Sequence, residues 1–137
     1  MALTHLLDTS VLTRLRHAAV RAVVEPLAAA GSLARAGITD LEIGYSARSA
    51  KEWDEATDAL AAFELIETSA DHVRRARQVQ RMLASKHQRG RKVPDLLVAA
   101  AAEASDLAVL HYDADFDRIA AVTGQRVEWV VLAGSVD

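Results

Sequence analysis

The chain has 137 residues and no cysteine, which excludes disulfide staples, thiolate zinc sites and a cysteine nucleophile. Aromatic residues amount to 4%, glycines number six and prolines two, and no Gly/Ser/Pro-rich linker, repeat or low-complexity block interrupts the sequence. No apolar run approaches the roughly 20 residues that span a bilayer. The Met1 to Leu7 segment is too short for a signal peptide, so the cytosol is the expected address. No phosphate-cradling glycine motif is present, which disfavours nucleotide-cofactor enzymes. The five histidines include no H-x-x-x-H pair. The chain is half hydrophobic (51%) and a quarter charged (26%). These proportions and this length suit one soluble domain over residues 1–137 with a core of its own.

The net charge of −3 argues against a polyanionic partner until its distribution is read. Between Asp71 and Asp95 there is no acid, yet Arg74, Arg75, Arg77, Arg81, Lys86, Arg89, Arg91 and Lys92 fall there. That is half of the 16 Lys and Arg residues. Local field steers a polyanion more than net charge does.

Strands alternate with helices. Leu3 to Leu7 reads as a buried strand ending at Asp8. A helical stretch stops near Gly31, and Ser32 to Ile38 reads as the second strand. Thr39 to Glu42 fits an S/T-x-x-E capping box, and Ser49 to Glu52 repeats it before a helix with Trp53, Ala56, Leu60 and Phe63 on one face. Leu65 and Ile66 suggest a short strand. Val73 to Lys86 is helical, with Arg74, Arg77 and Arg81 along one side. Pro94 opens a helix that is apolar all round from Leu96 to Ala102 and therefore buried. Leu107 to Tyr112 and Val127 to Leu132 are strands around a short helix, Phe116 to Val122. This order implies an α/β domain with a mostly parallel sheet, whose ligands bind beyond the carboxyl ends of the strands.

That rule gives four acids their interest. Singly, Asp8, Glu42, Asp95 and Asp113 each read as helix caps or first-turn carboxylates. Asp8, Glu42 and Asp113, however, all fall where a strand hands over to a helix, and Asp95 can join them from the buried helix. Carboxylates brought together repel unless a cation intervenes, and hard oxygen ligands suit Mg²⁺ or Mn²⁺. A metal so held can activate water and stabilise charge on a phosphoryl oxygen.

LLDTSVL from Leu6, TDLEIGY from Thr39, PDLLVAAAA from Pro94 and VLHYDADFDRIA from Val109 together resemble the motifs of PIN-domain nucleases, specifically the VapC-type toxins of toxin–antitoxin modules. The likeness covers nearly the whole chain. It implies a three-layer α/β/α domain with a five-stranded sheet, a homodimer, and Mg²⁺-dependent RNA cleavage (Mn²⁺ able to substitute). It also implies a VapB-type antitoxin whose peptide tail blocks the site. Asp8, Glu42, Asp95 and Asp113 are its catalytic acids, with Asp115 assisting at the metal and Ser10 supporting Asp8 or contacting phosphate. His111 stands where many relatives have threonine. Arg91 and Lys92, just ahead of Asp95, are the expected RNA contacts. Two other readings stay open: a receiver-like Mg²⁺-binding signalling domain, although no lysine follows the last strand, and an inert PIN-like binding module.

Overall fold

Short apolar segments that alternate their side chains between two faces build the centre of the molecule. The structure, a computed structural model, describes residues 2–88 and 92–137. Strand β1 (His5–Leu7) is followed by the single turn α1 (Thr9–Leu12), α2 (Ala18–Ala29), β2 (Leu33–Ala36), α3 (Gly37–Gly44) and α4 (Ala50–Asp58). After a 3₁₀ turn, Ala59–Ala62, come β3 (Glu64–Ile66), α5 (Ala70–Ser85), α6 (Val93–Ala104), β4 (Ala108–His111), α7 (Asp115–Thr123) and β5 (Val127–Trp129).

The five strands form one sheet in the order β3-β2-β1-β4-β5. The expected mostly parallel sheet is parallel at every pairing. His5 lies opposite both Leu33 and Ala108, which sets β1 in the middle. Period-two alternation then sends neighbours to opposite layers. Leu6, Ala34 and Val109 pack with Val79 and Leu83 of α5, Val98 and Ala102 of α6, and Phe116 and Ile119 of α7. Leu7, Leu33 and Leu110 pack on the other side with Val11, Val20, Val24, Leu60 and Phe63. The result is the three-layer arrangement expected.

Helix α6 has no polar face to offer water. Leu96 and Val98 to Ala102 are all buried, and Pro94 sits in its first turn, where a missing N–H costs nothing. Serines start α4 and α5: Ser49 accepts from Glu52 N, and Ser69 accepts from His72 N while His72 Nδ1 accepts from Ser69 N. Gly31, at φ +68°, closes the run after α2 in the left-handed region that glycine tolerates.

Two expectations need correction. The second strand ends at Ala36, and α3 starts at Gly37 rather than after Thr39. Ala36 is the N-cap, so Thr39 lies inside the first turn, fully buried, and makes no capping box with Glu42. The helix carrying Trp53 ends at Asp58, and Leu60 and Phe63 belong to the turn and strand entry beyond it. Among the described residues no helix is long and apolar enough to cross a membrane.

Candidate active site

The chain reverses its direction of travel across the sheet between β1 and β4, and a crevice opens there at the carboxyl edge. Asp8 follows β1 directly. Asp8 N donates to Leu110 O at 3.0 Å, which holds the ends of the two strands together. The Asp8 carboxylate caps α1 by accepting from Ser10 N at 3.0 Å. Ser10 Oγ in turn accepts from Tyr112 N at 2.9 Å, so this hydroxyl pins the loop after β4 to the loop after β1.

Glu42 reaches the crevice from the second turn of α3, where its Oε1 accepts from Thr9 Oγ1 at 2.7 Å. Asp95 stands in the first turn of α6, only 4% exposed, and its Oδ2 has no hydrogen-bond partner among the described residues. Asp113 Oδ1 accepts from Asp115 N at 2.9 Å, and its Oδ2 lies 3.4 Å from Lys92 Nζ. Asp95, Asp113 and Asp115 can each offer a carboxylate oxygen within 4.8 Å of the others. Asp8 and Glu42 line the same cleft, about 460 Å³ in volume, with Asp95 and Asp113.

Each sequence-predicted acid therefore arrives at one place, though not by the expected route in every case. Asp8 and Asp113 do sit at strand-to-helix junctions. Glu42 comes from within a helix. Lys92 reaches the cleft rim beside Asp113, whereas Arg91 lies outside the described residues.

Crowding shows in the charges. Asp95 is pushed up to about 8, first by burial and then by Asp8 and Asp113. Asp8 is also raised, mainly by burial, with Glu42 and Asp113 adding to it and the bonds from Ser10 opposing it. Lys92 is raised by Asp113 above all. A buried carboxylate oxygen without a donor costs free energy, and here the neighbours are other carboxylates. The donor set is all oxygen and carries excess negative charge, which fits a hard divalent cation and does not suit a thiolate- or imidazole-seeking metal.

Arg14 also belongs to this cleft, although the sequence reading passed over it. Its guanidinium donates to Ser10 O at 2.8 Å and lies 4.6 Å from the centre of the Tyr112 ring. The signal was available as i,i+4 spacing from Ser10, but an arginine in a short helical run looks like surface until the turn after α1 is seen. His111, singled out in the sequence where many relatives have threonine, also meets the site through Asp113. It is fully buried, its Nδ1 accepts from Asp113 N at 3.1 Å, and its ring centroid lies 5.0 Å from those of both Phe116 and Trp129.

Fold and cleft together define a class: an all-parallel α/β domain with acids gathered at the switch point of its sheet. The strand order 3-2-1-4-5 separates it from the receiver-like alternative, whose order is 2-1-3-4-5. The family model described as PIN domain matches residues 5–122. Ribonuclease VapC51 of Mycobacterium tuberculosis is 63% identical over 137 residues, covering 100% of both chains. Among solved structures, a chain of DNA-bound VapBC from Salmonella typhimurium superposes with a TM-score of 0.77 at 20% identity, covering 94% of this chain and 99% of that one. Another, in VapBC-5 of Mycobacterium tuberculosis, a member of the VapBC family of toxin–antitoxin systems, gives 0.58 at 26% identity, covering 93% and 95%. The chain belongs to the PIN-domain family.

Proposed function

We propose that this protein is a metal-dependent endoribonuclease, the toxin of a toxin–antitoxin pair, and that its acidic cleft is where RNA phosphodiesters are hydrolysed. The observation that carries this reading is the Asp95 carboxylate, 4% exposed, with one oxygen unpartnered among the described residues and held beside Asp113 and Asp115. Such a group calls for a cation. The name of the Mycobacterium tuberculosis relative and the VapBC neighbours support the substrate and the partner.

In this reading Asp8, Glu42, Asp95 and Asp113 are the catalytic acids, and they hold Mg²⁺ (Mn²⁺ can substitute) with help from Asp115. Such an ion, when bound, supplies a more acidic water and positive charge at the phosphoryl oxygens. The chain's own groups do the positioning. Ser10 holds Asp8 and Tyr112 in register, and Thr9 orients Glu42. Lys92 and Arg91 attract the phosphate flanking the scissile bond, and Lys92 balances Asp113 until RNA arrives. Arg14, anchored on Ser10, presents a second cation to the same cleft. The 137 residues act as one domain, paired with a second copy and silenced by an antitoxin peptide in the cytosol.

RNA cleavage by the purified, antitoxin-free protein with Mg²⁺, beside Asp8→Asn and Asp95→Asn, tests the reading. Activity in the wild type and a loss of about 100-fold or more in each variant is expected, since both change the charge set around the reacting phosphate. An inert wild type supports the binding-module reading instead, and full activity in both variants removes the cleft from catalysis.

A further inference from the structure

Helix α5 turns two unlike faces in opposite directions. His72, Ala76, Val79 and Leu83 are buried. About half a turn away, at about 3.6 residues per turn, Arg74, Arg77, Gln78 and Arg81 line an open hollow of about 610 Å³. Arg74 is paired with Asp71 and Arg75 with Glu103. Arg77 and Arg81 are exposed and have neither an ion pair nor a hydrogen bond among the described residues. Like charges four residues apart on a helix repel, so the face is built at a cost that nothing among the described residues relieves.

The row also has a direction. Arg75, near the start of α5, pairs with Glu103, near the end of α6, at 2.7 Å. The carboxyl end of α5, at Ser85, is followed seven residues later by Lys92 at the cleft rim, so the chain can part the two by no more than about 25 Å. From Arg74 to Arg81 the row covers about 10 Å of helix axis and runs toward that carboxyl end.

Spaced guanidinium groups along a line suit a ligand with repeating charge, whereas a single phosphate calls for converging donors. Among the described residues the hollow's only apolar lining residue is Ala84, so they give it none of the buried anchors on which protein partners depend. We propose that Arg77 and Arg81, flanked by Arg74, form a docking track for the phosphate backbone of the substrate RNA, outside the cleft and leading into it. The track rests on the ribonuclease reading above. It makes cleavage favour RNA long enough to lie on both sites.

The test uses Arg77→Gln with Arg81→Gln, two exposed changes on the face opposite the core. Binding is measured by anisotropy with an RNA hairpin of about thirty nucleotides in an Asp95→Asn background, which keeps the RNA intact. Loss of two phosphate contacts is expected to weaken binding about tenfold and to lower the slope of log K against log salt by roughly 1.4 to 1.8. Cleavage of a short oligonucleotide that fills only the cleft stays unchanged when the same pair of changes is made in the active protein. Unaltered hairpin affinity and slope overturn the track. So does a variant whose only change is in subunit association or in antitoxin capture, which would assign the face to a protein. If the Asp95→Asn protein binds no RNA at any salt concentration, the ribonuclease reading falls, and the track with it.

Discussion

Asp95 is held where a charged carboxylate is least welcome. Its pKa, near 3.8 when exposed, is about 8 in the fold because of burial and the neighbouring acids. Over the interval between those values the folded protein binds a proton that the unfolded chain has released, so stability falls as pH rises through it. His111 works the other way below its ordinary 6.5, because burial lowers its pKa and folding there must exclude a proton. The window from pH 6.5 to 8 lies above the range in which His111 opposes the trend. Comparison with Asp95→Asn separates Asp95 from Asp8, which is shifted in the same direction. Thermal melts in a chelating buffer are expected to drop across that window for the wild type. Asp95→Asn removes the charge, should melt about 5 °C higher at pH 8 and should show a flatter profile. A wild-type midpoint that climbs from 6.5 to 8 contradicts the assignment. His111 offers a second residue-scale check. Its Nδ1 accepts from Asp113 N, and its Nε2 has no hydrogen-bond partner among the described residues. His111→Ala removes the acceptor and is expected to weaken Mg²⁺ binding several-fold by calorimetry, with about 1–3 kcal/mol lost in stability. His111→Asn keeps an acceptor oxygen near the same point and should recover the metal affinity better than it recovers the packing against Phe116 and Trp129.

At the scale of elements, the join between α3 and α4 is the tightest made by a glycine among the described residues. A methyl group on Gly44 would stand 2.2 Å from Trp53 Nε1, so the absence of a side chain is what lets the indole lie across the end of α3. Gly44→Ala is expected to cost about 1–3 kcal/mol in urea denaturation, and adding Trp53→Ala should relieve most of the added strain. A neutral Gly44→Ala would mean that the indole moves freely. The same region shows what was legible in the sequence and what was not. The buried α6, apolar on every side, could be read directly from its run of alanines and leucines, as could the strands that end at Asp8 and Asp113. The start of α3 could not. Thr39 and Glu42 have the spacing of a capping box, but Asp40 bonds Arg35 at 2.7 Å, and Arg35 also donates to Leu60 O at 2.8 Å and to Phe63 O. This tertiary network fits a helix that begins two residues before Thr39. Arg14 was hidden for the same reason: its role depends on partners that the fold, not the local sequence, supplies.

On the scale of the whole molecule, two groups of like charge stand out from a surface otherwise laced with ion pairs. The acids of Asp8, Glu42, Asp95 and Asp113 converge on one cleft, while Arg77 and Arg81 stand on α5 without a counter-charge among the described residues. Grouping of this kind stores repulsion that folding alone does not recover, and a ligand of the opposite sign recovers it. For the cleft that ligand is a divalent cation, and the consequence is measurable without any RNA. A cation that binds only the folded chain stabilises it by about 2.7 kcal/mol at a hundred times its Kd, which for a domain of this size raises the midpoint by roughly 8 °C. Mg²⁺ or Mn²⁺ should produce this rise at pH 8, and less of it at pH 6.5, where the proton on Asp95 competes for the same oxygens. Asp113→Asn should lose most of the rise while leaving the chelated midpoint equal or higher, since it relieves repulsion as it removes a ligand. A monovalent salt at matched ionic strength screens the charges but has no site to fill, so it should give only a small shift. If that salt reproduces the full effect of Mg²⁺, the cleft is merely repulsive and holds no specific ion.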